Sequence, residues 1–503
     1  MNMLRLHEPL GFIIIRIKFC MMGRTAHAVF GSRSIAVKHD ASLSLKHTKC
    51  GWGFQGYLAW LFLLLLLVAP TAQAQFFATC RSGCEAELDA SIRAHEEHTE
   101  RMSHKLVTGW YRQGALPKGF KPINHADVLH GLTHLGSRRA AVLFQAYQDN
   151  RFCSWLITPH APLKAHVSQV SSGDLRRLQP QLIQALGAEA LARSRAPQRK
   201  LDRRGPSRSG ESGEFQKPDL VQSSRLATVL HDTAEVLLPQ PIVSALRDAE
   251  IDTLIVVPVF ETGTVPFAAL PVDSQHALID IASVVIAPGL FIFRETPLSA
   301  RKSFPGAIVV GNPLGWVDPD WEFRPLTGAQ SEAETVAKLV DSTPLTQHAA
   351  SKRKVLERIK GQPETTLIYL ATHGIADDTN PLDAGFLLLS DGRWTAREIA
   401  KAPISNSRPL VVLSACQTGL GKNFDVGTIG LARAWHQAGA ANVVMSLWNV
   451  SDINTSRLMG SFILHAHTLP PDKALQNAMR ELRSEMPNPL YWASFAVFGL
   501  PEL

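Results

Sequence analysis

A histidine and a cysteine end two short apolar runs of this chain. The first run reads LIYLATHG and brings His373 just past its last apolar residues; the second reads PLVVLSACQTG and brings Cys416 to the same kind of position. A thiol becomes a strong nucleophile when an imidazole takes its proton, so a Cys and a His within hydrogen-bond reach could carry out acyl transfer. The two stand 43 residues apart, so nothing local makes them meet. The meeting has to come from the elements that carry them. A run of four to eight apolar residues followed at once by small residues and Gly has the pattern of a buried strand ending in a tight turn. In an open α/β sheet, chemistry collects at the carboxyl ends of parallel strands. Two such ends side by side would bring His373 and Cys416 together.

The surrounding chain has the alternation that builds such a sheet. From residue 220 on, the pattern predicts a helix over 223–248 and strands over 252–259, 279–288 and 306–313. Helices follow at 329–341 and 350–361, then the His strand at 365–372 and the Cys strand at 409–415. A Gly-rich loop after Cys416 leads to a helix at 427–438 and a strand at 441–450. Asp452 opens a helix to 467, Pro471 and Asp472 open another to 485, and 491–499 reads as a closing strand. Nearly pure apolar strands alternating with helices indicate a mostly parallel sheet covered on both faces.

Upstream, 140–158 reads as a hairpin around Gln148, Asp149 and Asn150, and 163–193 as helical. Residues 85–112 read as one polar helix whose His95, His98 and His104 are expected on a solvated surface. Residues 194–219 lose all periodicity and concentrate Arg, Lys, Ser, Gly and Pro, the composition of an exposed linker. No 34-residue repeat is visible, so a tetratricopeptide array is not expected.

Charge excludes one class of function. The 503 residues carry a formal +7, but residues 1–74 hold eight Lys/Arg against two acids. The rest holds 43 basic and 42 acidic residues, so the body is nearly neutral and no nucleic-acid partner is expected. The uncharged run YLAWLFLLLLLVAP at 57–70 follows Lys46 and Lys49 and precedes Ala72, Gln73 and Ala74. That is the layout of a secretory signal. The expectation is export, to a periplasm or outside the cell; the alternative is a membrane anchor at 57–70, although a spanning helix needs about 20 residues. The 50 residues before the run are unusual for a signal, and a translation start placed too far upstream would explain them.

Removal of the leader leaves Cys80, Cys84, Cys153 and Cys416. A loop disulfide between Cys80 and Cys84, or a bridge from either to Cys153, would leave Cys416 free. Cys80 and Cys84 have no second ligand pair nearby, so no metal site is expected, nor any cofactor. No G-x-S-x-G elbow is present for a serine hydrolase. No G-x-G-x-x-G after a strand and no G-x-x-x-x-G-K-[ST] is present for a nucleotide.

From residue 220 to the end the chain resembles the CHAT domain family, caspase-like cysteine peptidases of the caspase, separase and gingipain group. The resemblance rests on ordered blocks: LIVVPVF…VPFAAL at 254–270, VVGNP at 309–313, LTGAQSEAE at 326–334 and LATHG at 370–374. LSACQTGLG at 413–421, GLARAWHQAGAANVVMSLWNVSD at 430–452 and PLYWASFAVFG at 489–499 complete it. The hairpin at 140–158 resembles the strand pair that often precedes the domain. The stretch 422–426 is less Gly-rich than the family's usual turn.

The resemblance implies a caspase-like three-layer α/β sandwich with a mostly parallel central sheet, preceded by a small helical and hairpin region. With the leader pattern and the linker composition it gives boundaries of 1–74 for the leader, 75–138 for a helical region, 139–193 for hairpin and helices, 194–219 for the linker and 220–503 for the CHAT domain. It implies His373 and Cys416 as a catalytic dyad, with the backbone N–H groups of Gly374 and Cys416 as oxyanion donors. Asp452 then has two readings: an acid that pairs with an Arg or Lys of the substrate, or a helix N-terminal residue. Asp377 and Asp378 read as loop residues, with orientation of His373 as the alternative, and Trp448 as core or groove wall. The expected activity is endopeptidase cleavage of a protein or peptide substrate, with a regulatory protein partner as a further expectation and cleavage after a basic residue as a finer one. A basic preference would make 194–219 a self-cleavage site. The alternative is a non-catalytic caspase-like scaffold that binds a peptide or protein.

Overall fold

The apolar runs become strands because each can be covered on both faces. The computed structural model describes residues 12–18, 25–31, 84–108, 120–188, 198–199, 220–294, 297–362, 364–402, 404, 407–415, 419–424, 427–448 and 452–503, with the backbone alone at 12–18, 25–31, 84, 101–108, 198–199, 220–223, 422–424, 427–429 and 452–453. The chain divides into two compact units, Met1–Gln75 and Phe76–Leu503. In the first, strands Phe12–Lys18 and Thr25–Gly31 pair antiparallel. The apolar run at 57–70 lies outside the described residues. Among the described residues no helix is long and apolar enough to cross a membrane.

The second unit is built on a sheet of eleven strands. In chain order they are β1 Ala140–Gln148, β2 Arg151–Ile157, β3 Lys164–Ser168, β4 Thr253–Val257, β5 Ser283–Ile286, β6 Ile308–Pro313, β7 Leu345–Gln347, β8 Leu367–Ala371, β9 Leu410–Ser414, β10 Asn442–Ser446 and β11 Phe495–Gly499. Their order across the sheet is β7-β6-β8-β9-β10-β11-β5-β4-β1-β2-β3. The block β7-β6-β8-β9-β10 is parallel throughout. Its carboxyl ends therefore share one rim. β11 pairs antiparallel with β10 and parallel with β5. The sheet is mixed α/β and mostly parallel, with helices packed on it.

Both faces are apolar, which accounts for strands without polar alternation. In β1, Ala141 and Leu143 face one core while Ala140, Val142 and Phe144 face the other. The second core is closed by helix Cys84–Thr108 through Leu88 and Ile92 and by helix His125–Thr133 through Val128 and Leu132. The β1–β2 hairpin turns on Asp149 and Asn150 at φ 48° and 59°, the left-handed pair a two-residue hairpin loop requires.

Several elements depart from the sequence expectation for physical reasons. His95 is buried, at 8% exposure, because it follows Leu88 and Ile92 on one helical face. Its ring meets Phe144 edge-on at 5.5 Å, and burial lowers its pKa to about 3. Residues 163–193 are not one helix: β3 pairs with β2 before helix Ser172–Leu186 begins. The helix expected over 223–248 is two, Leu220–Leu237 and Gln240–Asp248, divided at Pro239. The helix expected at 427 begins at Leu431, after strands Gly421–Phe424 and Gly427–Gly430 pair antiparallel. Cys153 is free and buried, so the bridge to it is absent; Cys80 lies outside the described residues, as does the side chain of Cys84.

Candidate active site

β8 and β9 are neighbours, parallel and in register from Leu367↔Leu410 to Ala371↔Ser414. His373 stands two residues past Ala371, and Cys416 is two residues past Ser414 in sequence. Cys416 itself, with Gln417 and Thr418, lies outside the described residues. Its described flanks are held by one residue at the end of β10. Ser446 Oγ donates to the carbonyl of Ala415, and the N–H of Gly419 donates to the carbonyl of Ser446 at 2.8 Å. A Cβ at Gly419 would stand 2.9 Å from that same carbonyl, so a side chain there would force the two apart.

His373 is gripped from two directions. A small antiparallel sheet of Gly374–Ile375, Phe386–Leu389 and Gly392–Thr395 stands directly after β8. The N–H of Leu388 donates to the carbonyl of His373 at 2.9 Å, and Thr372 Oγ1 donates to the carbonyl of Leu388. The ring is set by residues far back in sequence. Its Nε2 lies 2.7 Å from the carbonyl oxygen of Arg324. A carbonyl only accepts, so this contact assigns the proton to Nε2 and makes Nδ1 the basic nitrogen of the neutral ring. Phe323 packs on the same ring with centroids 4.9 Å apart. His373 is 6% exposed.

Residues 314–326 supply those contacts, and this segment is itself tied at its return end and near its tip. Asn312, the polar residue of the VVGNP block, adopts φ 47° and is 3% exposed. Its Oδ1 accepts the N–H of Leu326 at 2.7 Å, and its Nδ2 donates to Gln330 Oε1 at 3.1 Å. Near the tip, Arg393 Nε donates to Asp318 Oδ2 at 2.6 Å, while Nη2 bonds both Asp318 and Asp320. Asp318 also accepts the N–H groups of Asp320 and Trp321, each at 3.0 Å. Burial raises the Asp318 pKa, but Arg393 and the two N–H groups outweigh it and hold the carboxyl below its ordinary value. The other conspicuous block, LTGAQSEAE, lines the core beneath: Tyr369 of β8 donates to the buried Glu332 at 2.6 Å.

A protein-family model described as the CHAT domain matches residues 226–500. The chain belongs to the CHAT domain family. Among curated proteins it is similar to tetratricopeptide repeat protein 28 of Mus musculus and of Homo sapiens, each 25% identical over 246 residues. Those matches take in 41% of this chain and 10% of each relative, so the chain spans about a tenth of their length. Among solved structures it is similar to the Saccharomyces cerevisiae separase–securin complex, at 13% identity over 76% of this chain and 32% of that one, with a TM-score of 0.43. It is also similar to the complex of Porphyromonas gingivalis RgpB pro- and mature domains, at 12% identity over 54% and 70% of the two chains, with a TM-score of 0.38.

Within the CHAT domain, Gly374 is buried and pairs with Leu387 at the edge of the small sheet. Asp452 opens helix Asp452–Ala466, with its side chain outside the described residues. Asp377 caps its own turn, accepting from the N–H groups of Thr379 and Asn380. Trp448 is 2% exposed and donates to the carbonyl of Leu490 at 3.3 Å. Among the described residues no group of three or more His, Cys, Asp or Glu is disposed to hold a metal ion. Sequence reasoning missed Asn312, Asp318, Phe323, Arg324, Arg393 and Ser446. Asn312 alone had a signal: a polar residue between Gly and Pro at the end of an apolar strand.

Proposed function

We propose that this CHAT domain is a cysteine-type endopeptidase in which His373 and Cys416 form the dyad. The observation that carries the reading is the Arg324 carbonyl on His373 Nε2, which leaves Nδ1 as the base. The β8–β9 register supports it: two residues of chain reach at most about 7 Å beyond a strand end, and adjacent strands stand about 4.8 Å apart. In the reaction, Nδ1 takes the Cys416 thiol proton and the thiolate attacks the scissile carbonyl carbon. The resulting oxyanion is held by backbone donors, for which Gly374 and Cys416 are the candidates. The imidazolium returns its proton to the departing amine as the C–N bond breaks. Water, deprotonated by the same nitrogen, then hydrolyses the thioester and restores the thiol.

The substrate is a protein or peptide, and a preference for Arg or Lys would come from Asp452 facing the substrate side chain. The basic linker is the first candidate substrate. Gln198–Arg199 pairs antiparallel with Trp321–Glu322, the residues leading into Phe323 and Arg324. Export through the 57–70 leader belongs to the same reading. Sequencing the mature N-terminus checks it: Gln75 is the expected first residue, and an intact leader opposes it.

A thiol-reactive peptidyl probe tests the dyad. Labelling should map to Cys416 and disappear in both Cys416→Ala and His373→Ala. Labelling retained at full rate in the His373 variant would overturn the dyad, and a binding scaffold predicts peptide retention without turnover. Wild type and Cys416→Ala incubated side by side test the linker, with breakage in 194–219 expected in wild type alone.

A further inference from the structure

Segment 314–326, which brings Phe323 and the Arg324 carbonyl to the His373 ring, is fixed at its return end and in its outer part by further side chains. Asn312 holds the return end through the Leu326 N–H, and its own position is set by the bond to Gln330. Arg393 holds the outer part through Asp318, whose carboxylate folds the backbone at Asp320 and Trp321. Arg393 leaves from the small sheet whose middle strand grips the His373 backbone, and its guanidinium lies 4.6 Å from the Phe386 ring centroid. Phe386 in turn meets Phe323 edge-on at 6.3 Å. One small sheet thus carries both grips on the histidine. It holds the backbone directly through Leu388, and it holds the ring through Arg393, Asp318 and the segment that ends in Phe323 and the Arg324 carbonyl.

We propose that residues 314–326 are a brace that fixes the tautomer and ring angle of His373, and that Asn312, Asp318 and Arg393 are positioning residues acting through it. The step from ring geometry to turnover rests on the peptidase reading above; the step from side chains to ring geometry does not. A carbonyl that moves by about 1 Å no longer holds the Nε2 proton in line, and misplacement of that order costs about 10²-fold in rate. Substrate affinity should change little, because the three residues act on the base. Lys cannot reproduce the two-pronged bond of Arg393, so Arg393→Lys should rescue poorly.

The test uses full-length protein in two backgrounds. In Cys416→Ala, nitrogen-15 histidine NMR should report His373 as the Nε2–H tautomer. Asp318→Asn, Arg393→Gln and Asn312→Ala should each convert it to a tautomer mixture. In the Cys416 protein the same variants should slow probe alkylation and kcat 10- to 100-fold, leave KM within threefold, and alter the pH–rate profile. Asp318→Asn keeps the shape of the turn, so it reports even where a larger change does not fold. A pure Nε2–H tautomer in folded Asp318→Asn, with an unchanged pH–rate profile, would overturn the brace. If the tautomer shifts while wild type neither labels nor cleaves, the brace stands and the peptidase reading fails.

Discussion

Two cysteines of this chain fall at opposite kinds of position in its sequence, one inside a strand and one just past a strand end. Cys153 lies within β2, paired with Ala146 of β1 and Val167 of β3, and faces a core of Phe144, Trp155 and Ile157. Burial, with Glu87 nearby, pushes its thiol up to about 11. Cys416 follows β9 by two residues in sequence, and the neighbouring β8 leads to His373, whose ring is held by the Arg324 carbonyl. Burial disfavours the charged form of two other groups in the same way: His95 is lowered to about 3 and Glu96 is raised to about 7. A strand interior removes a thiol from chemistry by the same desolvation that makes it good packing. A strand end exposes backbone and side chains to one another and lets a proton acceptor be brought up.

The sharpest way to break this contrast is to exchange the two thiols' roles. Cys416→Ala should abolish turnover and probe labelling, whereas Cys153→Ala should leave both within about twofold, as expected of a residue distant from the chemistry. Iodoacetamide in native buffer should spare Cys153, whose thiolate fraction near pH 8 is roughly one part in 10³. Mass spectrometry that finds native Cys153 alkylated as fast as Cys416 would erase the distinction.

A change inside the sheet should cost stability without selecting for chemistry. A Cβ at Gly311 of β6 would stand 2.4 Å from Ala333 Cβ and 2.7 Å from the Ala329 carbonyl. Gly311→Ala should therefore destabilise by about 1–3 kcal/mol, the range for overpacking, in a denaturant melt. Unchanged stability would mean that helix Thr327–Leu339 can move off the sheet.

Smaller effects follow from the two buried groups that burial shifts upward. The Cys153 thiol is raised in the fold, so its contribution is complete below pH 9 and is lost as pH rises through about 11. Comparing melts of wild type and Cys153→Ala across that window should show the steeper loss in wild type. The same sign applies to Glu96, whose carboxyl accepts the Leu290 N–H at 3.0 Å. Its contribution is complete below about pH 4.5 and declines as pH rises through about 7. Glu96→Gln should flatten that slope, and an identical slope would place the titration elsewhere.

Much of the fold was legible because strands buried on both faces are written as continuous apolar runs. LIYLA and LVVLS are β8 and β9 to within two residues of expectation. The elements that escaped were short or paired at an edge. β7 has three residues, and β3 reads as readily helix as strand until β2 supplies its partner. His95 escaped because a polar residue on an amphipathic face is indistinguishable from a solvated one until the neighbouring sheet is in place.

The sequence by itself determined which segments must be buried, that His373 and Cys416 each stand just past the end of such a segment, and, through its ordered blocks, the family. Tertiary structure decided that β8 and β9 are neighbours in register. It also decided that a carbonyl 49 residues away holds the imidazole. The physical reason is the same in both cases. Parallel pairing joins segments that have no local contact, and a backbone carbonyl is common to every residue, so no side chain marks in advance the one that will matter.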